Sequence, residues 1–169
     1  MIRIVIAEDQ ALLLEAMGNL LNLEEDIEVV GQAGNGEDAL TLVRKLQPDV
    51  CMMDIEMPEK SGLEAAEELQ HFDCKVIILT TFSRPGYYQR AMKADVRGYL
   101  LKDNPSEELA SSIRSIMAGK RIYSNELMDE ELREKHDSSI HEKSNQHNKT
   151  GSVKSYLASI MDKIKLPTG

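Results

Sequence analysis

Four apolar runs each lead into side chains suited to the same chemistry. Glu8 and Asp9 follow "IRIVIA", Asp54 follows "VCMM", Thr80 and Thr81 end "KVIILTT", and Lys102 follows "GYLL". Carboxylates gathered at one place repel one another and need a hard cation. Mg²⁺, with oxygen ligands and retained waters, fits that need. A carboxylate nucleophile beside Mg²⁺, with an amine and a hydroxyl opposite, suits in-line phosphoryl transfer, and Asp54 is the acceptor this arrangement favours.

These residues converge only if the runs are strands of one sheet. Ile2–Ala7, Glu28–Ala33, Val50–Met53, Lys75–Thr80 and Gly98–Leu101 are short, mostly apolar runs of strand length. Helical patterns alternate with them. "ALLLEAMGNLLN" places Leu12, Leu13, Ala16, Met17 and Leu20 on one face, and 36–46, "LEAAEELQ" and 86–94 follow. A last helix, capped by Asn104 or Ser106, carries Leu109, Ile113, Ile116 and Met117 and stops at Gly119. Five βα units mean a doubly wound α/β fold with helices on both faces of a parallel sheet. Ligands of such sheets bind at the carboxyl ends of the strands, where the residues named above lie.

Charge is unevenly spread. Residues 1–130 hold 13 Lys and Arg against 24 Asp and Glu, whereas 131–169 hold 7 against 5. The larger part repels nucleic acid, so any attraction to DNA must sit in the tail. The opening "MIRIVIAEDQ" is neither a signal peptide nor a membrane anchor, and no run is long enough to span a bilayer. Cys51 and Cys74 lie in or beside strands without metal-like spacing, as reduced core thiols of a cytoplasmic protein do.

"AEDQ", "MMDIEMPEKSG", "ILTTF" and "GYLLKD" together resemble the receiver domain of bacterial two-component response regulators. The run "LTTFSRPGYYQRAMKADVRGYLLKD" resembles the NarL/FixJ (LuxR-type) class, and the likeness extends from Met1 to about Leu127. The resemblance implies a flavodoxin-like (CheY-like) five-stranded sheet in the order 2-1-3-4-5. It implies that Asp54 accepts the phosphoryl group and that Glu8, Asp9, Asp54 and the Glu56 backbone carbonyl hold Mg²⁺. Thr80 would bond the phosphoryl group, Lys102 would pair with it, and the Tyr99 ring would turn inward after Thr80. Glu56 and Phe82 would tune phosphoryl loss. The implied partners are a sensor histidine kinase and, when phosphorylated, a second copy of the chain. Leu13, Leu14, Ile113 and Met117 are candidates for the dimer surface, although core packing is the commoner use of such residues. The rival enzyme reading is a Mg²⁺-dependent aspartyl-phosphate phosphohydrolase. Such an enzyme needs a second Asp two residues past the nucleophile, where this chain has Glu56.

The expected organisation is a receiver over 1–120, a linker over 121–149 that is helical at its start, and a helix-turn-helix remnant over 150–169. "GSVKSYLASIMDKIKL" resembles a recognition helix, with Val153, Leu157, Ile160 and Ile164 on one stripe. Lys154 and Ser155 are its candidates for DNA contact. The scaffold helices that would orient it are missing, because residues 133–150 hold one aliphatic side chain, Ile140. His136, His141 and His147 lie in that polar stretch and lack a ligand set. Docking on the receiver or pairing with another chain is therefore expected ahead of specific DNA binding, and the alternative function is a receiver-only adaptor.

Overall fold

A computed structural model gives the structure of residues 1–81, 84–103 and 106–127. Among the described residues, six named strands and five named helices follow one another. They are β1 (Ile2–Ala7), α1 (Ala11–Leu21), β2 (Ile27–Ala33), α2 (Gly36–Leu46), β3 (Val50–Asp54) and α3 (Gly62–Leu69). After these come β4 (Lys75–Thr80), α4 (Tyr87–Lys93), β5 (Gly98–Leu101), α5 (Ser106–Met117) and β6 (Ile122–Tyr123). All strand pairs are parallel, in the order β2-β1-β3-β4-β5-β6. The expected 2-1-3-4-5 order is thus present, with a sixth strand added at its edge.

Strand alternation divides the interior into two cores, because successive side chains point to opposite faces. Ile4 and Ile6 of β1, Met52 of β3 and Ile77 of β4 face Leu13, Met17, Ile113 and Ile116 of α1 and α5. Val5, Met53, Ile78 and Tyr99 face the other way, onto Leu40 and Val43 of α2, Leu63 and Leu69 of α3 and Ala91 of α4. Truncating one of the fully buried aliphatics, such as Ile113, costs about 2–5 kcal/mol.

Local chemistry sets the helix ends near the site. The Asn35 side chain accepts a hydrogen bond from the Asp38 amide at 2.8 Å and caps α2. Glu37 and Asp38 in its first turn and Arg44 and Lys45 in its last complement the helix dipole. A capping box starts α3: Ser61 Oγ accepts from the Glu64 amide at 3.2 Å, and Glu64 accepts from the Ser61 amide at 2.8 Å. Gly62, just inside α3, is required by close approach. A Cβ built there would lie 2.0 Å from the Asp54 carbonyl oxygen.

One expectation needs correction. Leu12 is 60% exposed, while Leu13, Ala16, Met17 and Leu20 are buried. It sits one residue, about 100° of helix, off the inward stripe. Residues 121–127, the start of the expected linker, hold a short strand and then a helical turn at 125–127. Ile122 and Tyr123 pair with Gly98 and Tyr99, and Leu127 is fully buried. Gly119 (φ 93°) turns the chain after α5, and an Ile-Tyr pair then covers the open backbone edge of β5. The proposed dimer residues divide: Leu13 and Ile113 are core, and Leu14 and Met117 are half-buried beside it. Among the described residues no helix is long and apolar enough to cross a membrane.

Candidate functional site

The strand order changes direction at β1, which has β2 on one side and β3 on the other. The crevice that opens there, at the carboxyl ends of the strands, is the expected binding place in a doubly wound sheet. Glu8 and Asp9 leave β1 at this point and Asp54 is the last residue of β3. One carboxylate oxygen from each of the three lies within 4.8 Å of the others.

Lys102 lies one residue past β5 and is 2% exposed. Its amide donates to the Thr80 carbonyl at 2.9 Å, which extends the β4–β5 pairing by one step and aims the side chain along the strand ends. Lys102 Nζ donates to Asp54 Oδ2 at 2.8 Å and to Glu8 Oε2 at 2.5 Å. Asp54 Oδ1 accepts from the Ile55 amide at 2.7 Å, and Glu8 Oε1 from the Gln10 amide at 3.2 Å. Thr80, at the end of β4, is buried, and its neighbour Thr81 is half-buried.

Burial sets the electrostatics. It pushes the Glu8 carboxyl up to about 7, with the Asp54 charge adding and Lys102 opposing. Burial also raises the Asp54 carboxyl, against the pull of Lys102 and the Ile55 amide. For Lys102 burial alone would lower the value, but Asp54 and Glu8 outweigh it and hold the ammonium above its usual range. Two buried carboxylates share one ammonium and the exposed Asp9 lies beside them, so acids outnumber the cation at this crevice. An all-oxygen set of this kind suits a hard divalent ion such as Mg²⁺.

The rim holds features that sequence reasoning missed. Arg84, in the loop after β4, pairs with Glu56 at 2.7 Å, so the β3–α3 and β4–α4 loops meet beside the site. Nothing in the local pattern announced this pair, which joins residues 28 positions apart. Tyr99 is fully buried and stands edge-on to Tyr88, with ring centroids 6.1 Å apart. The ring lies within the core on the α2–α3–α4 side of the sheet. Tyr88 in turn stands edge-on to Tyr123, again at 6.1 Å. Cys51 is buried, Cys74 is half-buried, both are free thiols, and burial raises both above the usual range. Phe82, Asn104, Lys154, Ser155, the stripe from Val153 to Ile164 and His136, His141 and His147 lie outside the described residues.

Comparison with known proteins agrees with this arrangement. Residues 4–114 match the response regulator receiver domain family. The chain is 54% identical to the transcriptional regulatory protein DesR of Bacillus subtilis (strain 168), over 98% of this chain and 92% of that protein. It is 56% identical to the uncharacterized transcriptional regulatory protein YvfU of the same organism, over 84% of this chain and 72% of that protein. A crystal structure of a LuxR-family DNA-binding response regulator from Staphylococcus aureus superposes with a TM-score of 0.66 at 42% identity. That match covers 69% of this chain and 98% of the solved one. A site built at the switch point of a 2-1-3-4-5 sheet, on a chain with these relatives, leads to one conclusion: the chain belongs to the response regulators of two-component systems, in the NarL/LuxR family, with a receiver domain.

Proposed function

We propose that Asp54 accepts a phosphoryl group from the phosphohistidine of a sensor histidine kinase and that the chain then acts as a switch, not as a turnover enzyme. The observation behind this reading is the shared position of Asp54: one carboxylate oxygen on Lys102, the other on a backbone amide, and Glu8 and Asp9 alongside. In the transfer, a carboxylate oxygen of Asp54 forms the new O–P bond as the P–N bond to the donor imidazole breaks. Lys102 holds Asp54 ionised despite burial and stands where negative charge collects on the transferring group. Thr80, buried at the end of the neighbouring strand, is the hydroxyl assigned in this reading to the phosphoryl oxygens. Glu8, Asp9, Asp54 and the Glu56 carbonyl are the residues that would hold Mg²⁺. When bound, the ion would neutralise phosphoryl oxygens and offset the carboxylate repulsion.

The phosphoryl group adds about 1.5 to 2 negative charges and strong acceptors at one point. Thr80 and Tyr99 are the residues proposed to respond, remodelling the α4–β5–α5 face and favouring a homodimer. The relative's name, transcriptional regulatory protein, supports an output in transcription for this chain too. One observation favours the adaptor reading instead. The DesR alignment runs over 182 positions on a chain of 169 residues, so that relative carries residues this chain lacks. The tail from 131 to 169, with 7 Lys and Arg against 5 Asp and Glu, offers little attraction for DNA phosphates.

Acetyl phosphate with Mg²⁺ tests the acceptor role. The wild-type chain should gain the mass of one phosphoryl group, and Asp54→Ala should gain none. An equal gain in the variant would remove Asp54 from the role. An anisotropy titration of the phosphorylated chain on DNA separates the two outputs: salt-sensitive, sequence-selective binding supports transcription, and a phosphorylation-dependent dimer without DNA affinity supports the adaptor.

A further inference from the structure

The outer edge of β5 is an interaction surface, and its partner is already seated on it. We propose that residues 121–127 form the output element of the receiver and that Tyr123 couples them to the Tyr99 ring. This rests on the reading of Asp54 as phosphoacceptor and Tyr99 as the responding aromatic.

The segment is held through five of its residues. The Ile122 amide donates to the Arg97 carbonyl at 3.0 Å, and the Ser124 amide donates to the carbonyl of Tyr99 itself at 2.8 Å. Tyr123 Oη donates to the Val96 carbonyl at 2.9 Å and accepts from Arg121 Nη1 at 3.1 Å. Arg121 also pairs with Asp95, which occupies the left-handed region (φ 55°) between α4 and β5. Leu127 closes the segment, fully buried in the same core as Tyr99.

The rings carry the argument further than an edge cover would. Tyr88 of α4 meets Tyr99 at an interplanar angle of 62° and Tyr123 at 84°, so it contacts the switch ring on one side and the output segment on the other. Tyr99 has no exposed surface, and interiors are packed too tightly for a ring to change rotamer while its neighbours stay in place. Movement of Tyr99 therefore displaces Tyr88, and Tyr88 is what Tyr123 leans on. The inward Tyr99 seen here accompanies a seated β6, so a phosphoryl group that favours the inward ring favours the seated segment. By linkage, the seated segment favours phosphoryl binding to the same degree. Whatever follows Leu127 inherits that equilibrium.

The test uses the full chain and two readouts. With acetyl phosphate and Mg²⁺, amide exchange at Ile122 and Ser124 should slow by at least about fivefold in the wild type and in Tyr123→Phe. Tyr123→Ala and Asp54→Asn should show no donor-dependent slowing. Beryllofluoride with Mg²⁺, a non-covalent phosphoryl analogue, should bind Tyr123→Ala at least about fivefold more weakly, with Tyr123→Phe unchanged. A purely structural Tyr123 would leave that affinity as in the wild type. A phosphorylated wild type with unchanged exchange at Ile122 and Ser124, or equal beryllofluoride affinity in Tyr123→Ala, overturns the proposal. Absence of a phosphoryl mass gain in the same wild-type sample contradicts instead the acceptor reading beneath it, and the proposal falls with it.

Discussion

Lys102 Nζ stands 2.8 Å from Asp54 Oδ2 with both residues almost out of solvent, although 48 positions separate them in the chain. The same ammonium reaches Glu8. One cation thus ties the ends of three strands together and leaves the acids in excess.

Removing that cation should expose the excess. Lys102→Ala leaves Glu8 and Asp54 buried without their counter-charge, and breaking a buried pair from one side costs about 3–5 kcal/mol. Urea unfolding should show a loss of that order at about pH 8 and a smaller one at about pH 5, where the carboxyls can take up protons.

Glu8 and Asp54 also set a pH dependence for the metal-free protein. Their folded values lie above the unfolded ones, so the folded state binds more protons than the unfolded state between the two. For Glu8 that window runs from 4.5 to about 7. The stability it contributes is present in full below the window and lost as pH rises through it, and Asp54 acts in the same direction. Urea midpoints without divalent cations should therefore fall across this window, and saturating Mg²⁺ should flatten the fall by favouring the ionised acids.

Gly62 should not tolerate a side chain. In Gly62→Ala the new Cβ would meet the Asp54 carbonyl, a backbone atom that cannot swing aside as a side chain would. A loss of about 1–3 kcal/mol in urea unfolding is expected. Phosphorylation should slow as well, because the strain falls on the acceptor's own peptide unit.

Thr80→Ala separates accepting the phosphoryl group from responding to it. The variant should still gain the phosphoryl mass from acetyl phosphate, since Asp54 and Lys102 remain. Donor-dependent slowing of exchange at Ile122 and Ser124 should disappear.

Much of the site is legible in the sequence, for a physical reason. In a parallel sheet the residue just past each strand falls on one edge, so Glu8, Asp9, Asp54, Thr80 and Lys102 could be brought together from strand ends alone. Leu12 misled because α1 is apolar at 11 to 14 around most of its first turn, and composition there does not say which side faces inward. β6 was missed because two residues, Ile122 and Tyr123, are too few to show a period of two. What makes them a strand is the unpaired edge of β5, a tertiary feature. The Arg84–Glu56 pair and the three-ring contact are likewise products of the fold and not of local spacing.

The central claim, that Asp54 is the residue phosphorylated, is met most directly by trapping the product. Treating the chain with acetyl phosphate and Mg²⁺ and then reducing it with borohydride converts an aspartyl phosphate to homoserine, which peptide mass spectrometry locates. Homoserine is expected at position 54, with none at 9 or 103 and no hydroxynorvaline at 8. Homoserine elsewhere, or none after full exposure to the donor, would contradict it.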